Sequence, residues 1–259
     1  MFRTIILKVR VDSMGKMIAV WGTPNCGKTT LALKLAQTIY ALNKGKKSVI
    51  AIFTDPVTPT LPVLFPNYSD GELFSLGTVL SKAEITPGDV FSNMVGIKGK
   101  LNFGVLGYRI RENKYSFPEY GEKKAGEFYD VIRDLADYIV VDCSSDLKTS
   151  IISDAALKCA DRMIYLFSPD IKCLSFTLSQ MPIIRSAGCV SDSMIRVMNV
   201  SAGDVTMPTA AIRTYIGEVK YTLPFSGEIA RQYVEGTLAN FPKDKRYTRV
   251  LSMLCDELR

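Results

Sequence analysis

Residues 17–42 read MIAVWGTPNCGKTTLALKLAQTIYAL, and the order of residue types in that stretch decides the fold. MIAVW (17–21) is an unbroken apolar run, the pattern of a strand covered on both faces of a parallel sheet. Leu31, Leu35, Ile39 and Leu42 then recur at helical spacing. Between strand and helix, Gly22 to Thr29 fits G-x-x-x-x-G-K-[ST], and the strand before it and helix after it are the context that pattern requires. The chemistry follows from the residue types. Backbone N–H groups at a helix N-terminus form a nest for anions, and Gly27 lets the chain approach phosphate without a Cβ in the way. Lys28 brings a mobile positive charge to the β and γ phosphates, and the Thr29 hydroxyl is placed to ligate magnesium. The candidate cradle is therefore Gly22, Thr23, Pro24, Asn25, Cys26, Gly27, Lys28, Thr29 and Thr30.

Outward from this unit, short apolar runs alternate with segments of helical period, as in βαβ units around a parallel sheet. VIAIF (49–53), YIVVD (138–142), RMIYLFS (162–168) and MIRVMNV (194–200) are the further strands, with a short one expected near Ile216–Lys220. KKAGEFYDVIRDLA, SDAALKCA, FSGEIARQYVEG and YTRVLSMLCDEL are the helices between and after them. Four prolines make TDPVTPTLPVLFPNYSD (54–70) a stiffened loop. The stretch from 71 to 120 holds an expected helix, ELFSLGTVL, and an expected strand, FGVLGY. No repeat or low-complexity linker divides the chain, so the reading is α/β: one doubly wound, mostly parallel sheet with helices on both faces, spanning 17–259 after an extension at 1–16.

A phosphate loop needs an acidic partner to manage a metal. DYIVVD ends its apolar run at Asp142, which puts a carboxylate at the C-terminal edge of the sheet, where open α/β sheets bind ligands. Thr29 and Asp142 are the candidate Mg2+ residues, Asp142 directly or through water. The composition narrows the rest. Among 259 residues there is no histidine, and the six cysteines form no CxxC pair, which removes the usual parts of Ser-His or Cys-His catalysis and of structural zinc sites. No run approaches the ~18 to 20 uninterrupted apolar residues of a membrane span, and no cleavable leader is recognisable, so a cytoplasmic chain with reduced thiols is expected. A net charge of +6 is modest, and its densest cluster is Lys243, Lys245, Arg246 and Arg249.

The chain at this point resembles the deviant-Walker ATPases of the ParA/MinD group. ADRMIYLFSPD (160–170) looks like the stretch in which that family's "AD" precedes a strand ending in a small polar residue, proline and an acidic residue. RVMNV places Asn199 where the family has a strand-end Asn at the adenine edge, and IGEVKYTLPFSGEIARQYVEG resembles its closing segment, with Pro224 in the turn by the base. Within the group the chain is similar to the CpaE/TadZ-like branch, linked to positioning pilus assembly machinery. The resemblance implies ATP or ADP with Mg2+ as cofactors, an ATP-dependent homodimer, a protein cargo, and a polar or peripheral membrane address reached through partners.

Two departures from the family pattern matter. The family's loop runs K-G-G-x-G-K-[ST], its first Lys reaching the partner's phosphates across the dimer; here that position is Thr23. The family's D-x-D-P-Q after the second strand is FTDPV, so Phe53 replaces the first Asp, while Asp55 matches the second and is the candidate for positioning the attacking water beside the catalytic Lys28. A turn-initiating Asp-Pro is the alternative for Asp55. A slow ATPase acting as a conformational clamp on the 54–70 loop is the expected outcome. Other classes on the same scaffold are a DNA-partitioning ATPase using residues 243–249, and a small-molecule kinase or synthetase whose acceptor pocket would use Lys98, Lys100, Arg109, Arg111 and Lys114. Val250, Leu251, Leu254 and Leu258 make an apolar stripe that either docks on the sheet or attaches to a membrane, docking being the expectation.

Overall fold

The computed structural model describes residues 14–68, 74–188, 194–200 and 207–258. Most of the N-terminal extension, Ser69 and Asp70, the first residues of the ELFSLGTVL helix, and Cys189 lie outside the described residues. Eight strands form one sheet: β1 (Lys16–Gly22), β2 (Val49–Phe53), β3 (Val95–Gly96), β4 (Phe103–Leu106), β5 (Tyr138–Asp142), β6 (Arg162–Phe167), β7 (Ile195–Asn199) and β8 (Tyr221–Leu223). Their order is β3-β4-β2-β5-β1-β6-β7-β8, and only the β3–β4 pair is antiparallel. From β1 the chain builds to one side through β2 and β4, then crosses over β1 from β5 to β6 and continues to the other side. The reversal opens a crevice at the carboxyl ends of β5, β1 and β6.

Because successive side chains of a strand point to opposite faces, β1 feeds two cores. Met17, Ala19 and Trp21 pack against α3 (Leu76–Leu80), α4 (Pro87–Ser92), α5 (Glu122–Leu135), α6 (Ile151–Cys159), α7 (Ile171–Ser186) and α8 (Thr209–Ile216). Ile18 and Val20 pack against α1 (Lys28–Leu42), α2 (Leu61–Leu64), α9 (Gly227–Val234) and α10 (Lys245–Leu258). Leu251, Leu254 and Leu258 of α10 are buried there, so the apolar stripe of the last helix is docked on the sheet.

Three local readings need revision. The expected strand near 216–220 is the end of α8, with Gly217 at φ 95° beyond it and β8 starting later. Ile212 and Ile216, four residues apart, give that segment a buried helical face. The 54–70 loop contains α2, because Pro62 falls in the first turn of the helix, where its missing N–H costs nothing. Helix α7 escapes the periodicity reading because its buried face is Cys173, Thr177, Met181 and Ile184, two of them not obviously apolar, with Pro182 inside.

Candidate nucleotide site

Residues 22–30 turn from β1 into α1 at the crevice. Gly22 lies so close to β6 that a Cβ there would stand 1.8 Å from the Leu166 carbonyl oxygen. The loop is tied to β6 by Thr23 N–H donating to the Leu166 carbonyl (3.1 Å) and by the Cys26 thiol donating to the same oxygen (3.3 Å). Asn25 and Gly27 take positive φ, 59° and 92°, the alternation that turns backbone N–H groups inward around an anion. Pro24 and Asn25 are exposed, while Cys26 is buried, and burial pushes its thiol up to about 11, so it stays a neutral thiol.

Lys28 Nζ donates to the Thr23 carbonyl (2.9 Å) and to Ser145 Oγ (2.6 Å), and Ser145 in turn donates to the Gly22 carbonyl (2.8 Å). Thr29 Oγ1 donates to Asp142 Oδ2 at 2.6 Å. The other carboxylate oxygen, Asp142 Oδ1, is buried without a hydrogen-bond partner. Burial pushes the Asp142 carboxyl up to about 7, against the lowering effects of the Thr29 hydroxyl and Lys28, and the charge of Asp55 adds to the rise. An orphaned carboxylate oxygen beside a hydroxyl and a second carboxylate is a donor set that suits a hard divalent cation. Thr29 and Asp142 would hold Mg2+. No group of three His, Cys, Asp or Glu side chains among the described residues could cage a metal.

Asp55 lies two residues past the end of β2, and its Oδ1 accepts the N–H groups of Val57 (2.8 Å) and Thr58 (3.4 Å), the turn geometry expected of an Asp-Pro. Phe53, at the family's first Asp, is buried in the α1-side core. Sequence reasoning missed a hydroxyl cluster that couples this loop to Asp142: Thr54 Oγ1 donates to the Asp142 carbonyl (2.7 Å), and Ser150, Ser153 and Thr54 bond one another at 2.6–2.9 Å. The serines of DCSSDLKTSIISD, directly after the strand, were the available signal.

Thr23 does not face the crevice. It is fully buried, and its hydroxyl lies 3.0 Å from Cys173 Sγ in the first turn of α7, whose N-cap is Asp170. On the opposite side of the loop, Asn199 at the end of β7 donates its amide N–H to the Cys26 carbonyl (2.8 Å), and Val200 N–H donates to the Leu223 carbonyl (3.0 Å), bringing Asn199 and Pro224 onto adjacent strand ends. The middle-section cations are divided between the two ends of the sheet. Lys98 and Lys100 precede β4 and so sit at the end opposite the crevice, and Arg109 is paired with Glu112 (2.7 Å). Lys243, Lys245, Arg246 and Arg249 are exposed at the start of α10.

No family model and no curated protein matches the chain. Solved structures do match over nearly its whole length. A ParA family ATPase from Chlorobium tepidum superposes with a TM-score of 0.76 at 11% identity, covering 92% of this chain and 98% of its own. The chain has the ParA/MinD fold. MinD of Pyrococcus horikoshii, complexed with Mg-ADP, gives 0.69 at 18% identity over 95% and 96% of the two chains. A plasmid partition protein of Borrelia burgdorferi bound to AMPPNP gives 0.71 at 15% identity, with 94% and 98% covered. On this ParA/MinD fold, Asp142 and Asn199 are hydrogen-bonded to the loop, and Pro224 follows β8 at the same end of the sheet.

Proposed function

We propose that this chain is a ParA/MinD-type ATPase of one domain, 17–259, that binds MgATP, hydrolyses it slowly, and serves as a nucleotide-gated homodimeric switch for positioning or recruiting other protein machinery. The observation that carries this reading is the Lys28–Thr29–Asp142 constellation on the loop, with its unpartnered Asp142 Oδ1. The nests and Lys28 bind phosphates; Mg2+, when bound, neutralises the β and γ oxygens. Lys28 exchanges Thr23 and Ser145 for phosphate oxygens, and the Asp55 turn, coupled to Asp142 through Thr54, transmits occupancy to the 54–70 loop. Slow hydrolysis is supported by Thr23. The residue in the family's trans-acting position is uncharged, buried and turned toward α7.

The test is calorimetry and light scattering of the protein with and without MgATP, beside Lys28→Ala, with steady-state phosphate release measured in parallel. Saturable binding, a doubled mass with MgATP, loss of both in Lys28→Ala, and turnover well below ~1 per second are expected. Equal ATP affinity in the two proteins overturns the site. Salt-sensitive retention of duplex DNA, lost when Lys245, Arg246 and Arg249 are neutralised, would instead favour partitioning.

A further inference from the structure

A second concave site lies away from the nucleotide crevice, on the α1 side of the sheet. It has a volume of about 600 Å3, within the range of small-molecule pockets, and it runs between the segment after α2, the β3–β4 turn and the segment after α9. Phe65, Ile97 and Phe241 give it an apolar lining, and none of its described lining residues is acidic. Two cations belong to it. Lys98 is exposed at the rim, and half-buried Lys100 holds its ammonium 4.7 Å from the Phe241 ring centroid and 5.8 Å from that of Tyr40. Among the described residues Lys100 has no carboxylate or hydrogen-bonding partner for its ammonium, and its half-buried positive charge is met by ring faces. Such a charge gains more from an anion that enters the pocket than an exposed lysine would.

We propose that this cavity binds a small organic anion, a carboxylate or phosphate monoester carried on a flat or branched apolar body, with Lys100 and Lys98 on the anionic group and Phe65, Ile97 and Phe241 around the body. The cavity walls are built rather than accidental. Gly236, at φ +64°, touches the opposite wall so closely that a Cβ would lie 2.6 Å from Pro66 Cγ. The 236–241 wall is fixed from behind, where Lys34 donates to the Leu238 and Asn240 carbonyls (2.7 and 2.6 Å) and Gln37 donates to the Ala239 carbonyl (2.7 Å).

The test uses phenylacetate and phenyl phosphate, with neutral 2-phenylethanol as the comparator, followed by ligand-observed NMR and calorimetry on the full chain. Both anions should bind saturably and at least about tenfold tighter than the alcohol, as a charge-assisted contact implies. Lys100→Met, which keeps the packed stem, should remove that preference, and Lys98→Ala should reduce it. Repeating the titration in Lys28→Ala separates this cavity from the phosphate loop: binding retained there supports the proposal, and binding lost there assigns the anions to the loop and overturns it. Equal affinity for anion and alcohol overturns it too, as does an unchanged preference in a folded Lys100→Met. A preference for phenyl phosphate alone makes the ligand a phosphate ester; similar affinity for both anions makes the charge, not the phosphate, the recognised feature.

Discussion

Thr23 occupies a slot with no room for a long cation. It is fully buried between the loop and the first turn of α7, its hydroxyl against a Cys173 thiol that burial keeps neutral. Thr23→Lys should therefore not recreate the family's reaching lysine. Either the ammonium stays in the slot, where an unpaired buried charge is costly, or the loop must unpack from α7 to release it. The expected result is a loss of ~2 kcal/mol or more in urea unfolding with no gain in ATP turnover. A stable variant that hydrolyses ATP tenfold faster would show the slot to be plastic. Gly22 is a stricter case, since any side chain meets the Leu166 carbonyl at 1.8 Å. Gly22→Ala should pull the loop off β6, and nucleotide affinity measured by calorimetry should fall by at least about tenfold, a loss of ~1.4 kcal/mol. These two residues differ in legibility. The need for a glycine at 22 is plain in the motif, whereas the direction in which Thr23 points depends on α7, which the apolar periodicity does not reveal.

At the scale of elements, helix α1 does two jobs, and Lys34 is the residue that joins them. Six residues past Lys28, its ammonium is fully buried and donates to Gln232 Oε1, the Leu238 carbonyl and the Asn240 carbonyl at 2.6–2.7 Å, while Glu228 lies near enough to favour the charge. Burial nevertheless dominates and lowers the Lys34 pKa to about 7, from 10.5. A lysine whose folded pKa is lowered is bound by fewer protons in the folded chain than in the unfolded one between those two values, so stability rises with pH across that window. Asp142 works at lower pH: its folded pKa is raised, so its stabilisation is complete below the usual carboxylate range and gone by about 7. Between about pH 7 and 8, below the usual thiol range, Lys34 should therefore dominate. Urea midpoints should rise over that interval by an amount worth about 1 kcal/mol, and Lys34→Met should flatten the dependence. A flat wild-type profile would mean that the three acceptor oxygens fully compensate the burial. Nothing in LALKLAQT marks Lys34 as buried, because its partners come from some two hundred positions later.

For the whole molecule, the doubly wound sheet was legible because β1, β2, β5 and β6 are continuous apolar runs, and each strand buried on both faces needs such a run. The edge strand β3 and the small helices α2 and α4 were not, because their burial is set by neighbours distant in sequence. The same limit applied to the last helix, whose apolar stripe reads alike for a membrane surface and for a domain core. Its packing decides the matter. Leu251, Leu254 and Leu258 lie in the same core cluster as Ile18 and Val20 of β1, and α10 rests directly on α1. Leu254→Ala should thus cost ~2–5 kcal/mol of unfolding free energy, the usual loss for a large buried aliphatic side chain, read from urea titration at constant slope. The protein should also stay in the supernatant when anionic vesicles are sedimented, with or without MgATP, since releasing α10 to a bilayer would open the α1 side of the core. Vesicle binding that Leu254→Ala strengthens rather than leaves unchanged would mean that the docked helix is one of two states, and that nucleotide-dependent release of α10, not its packing, is the property under selection in this stripe.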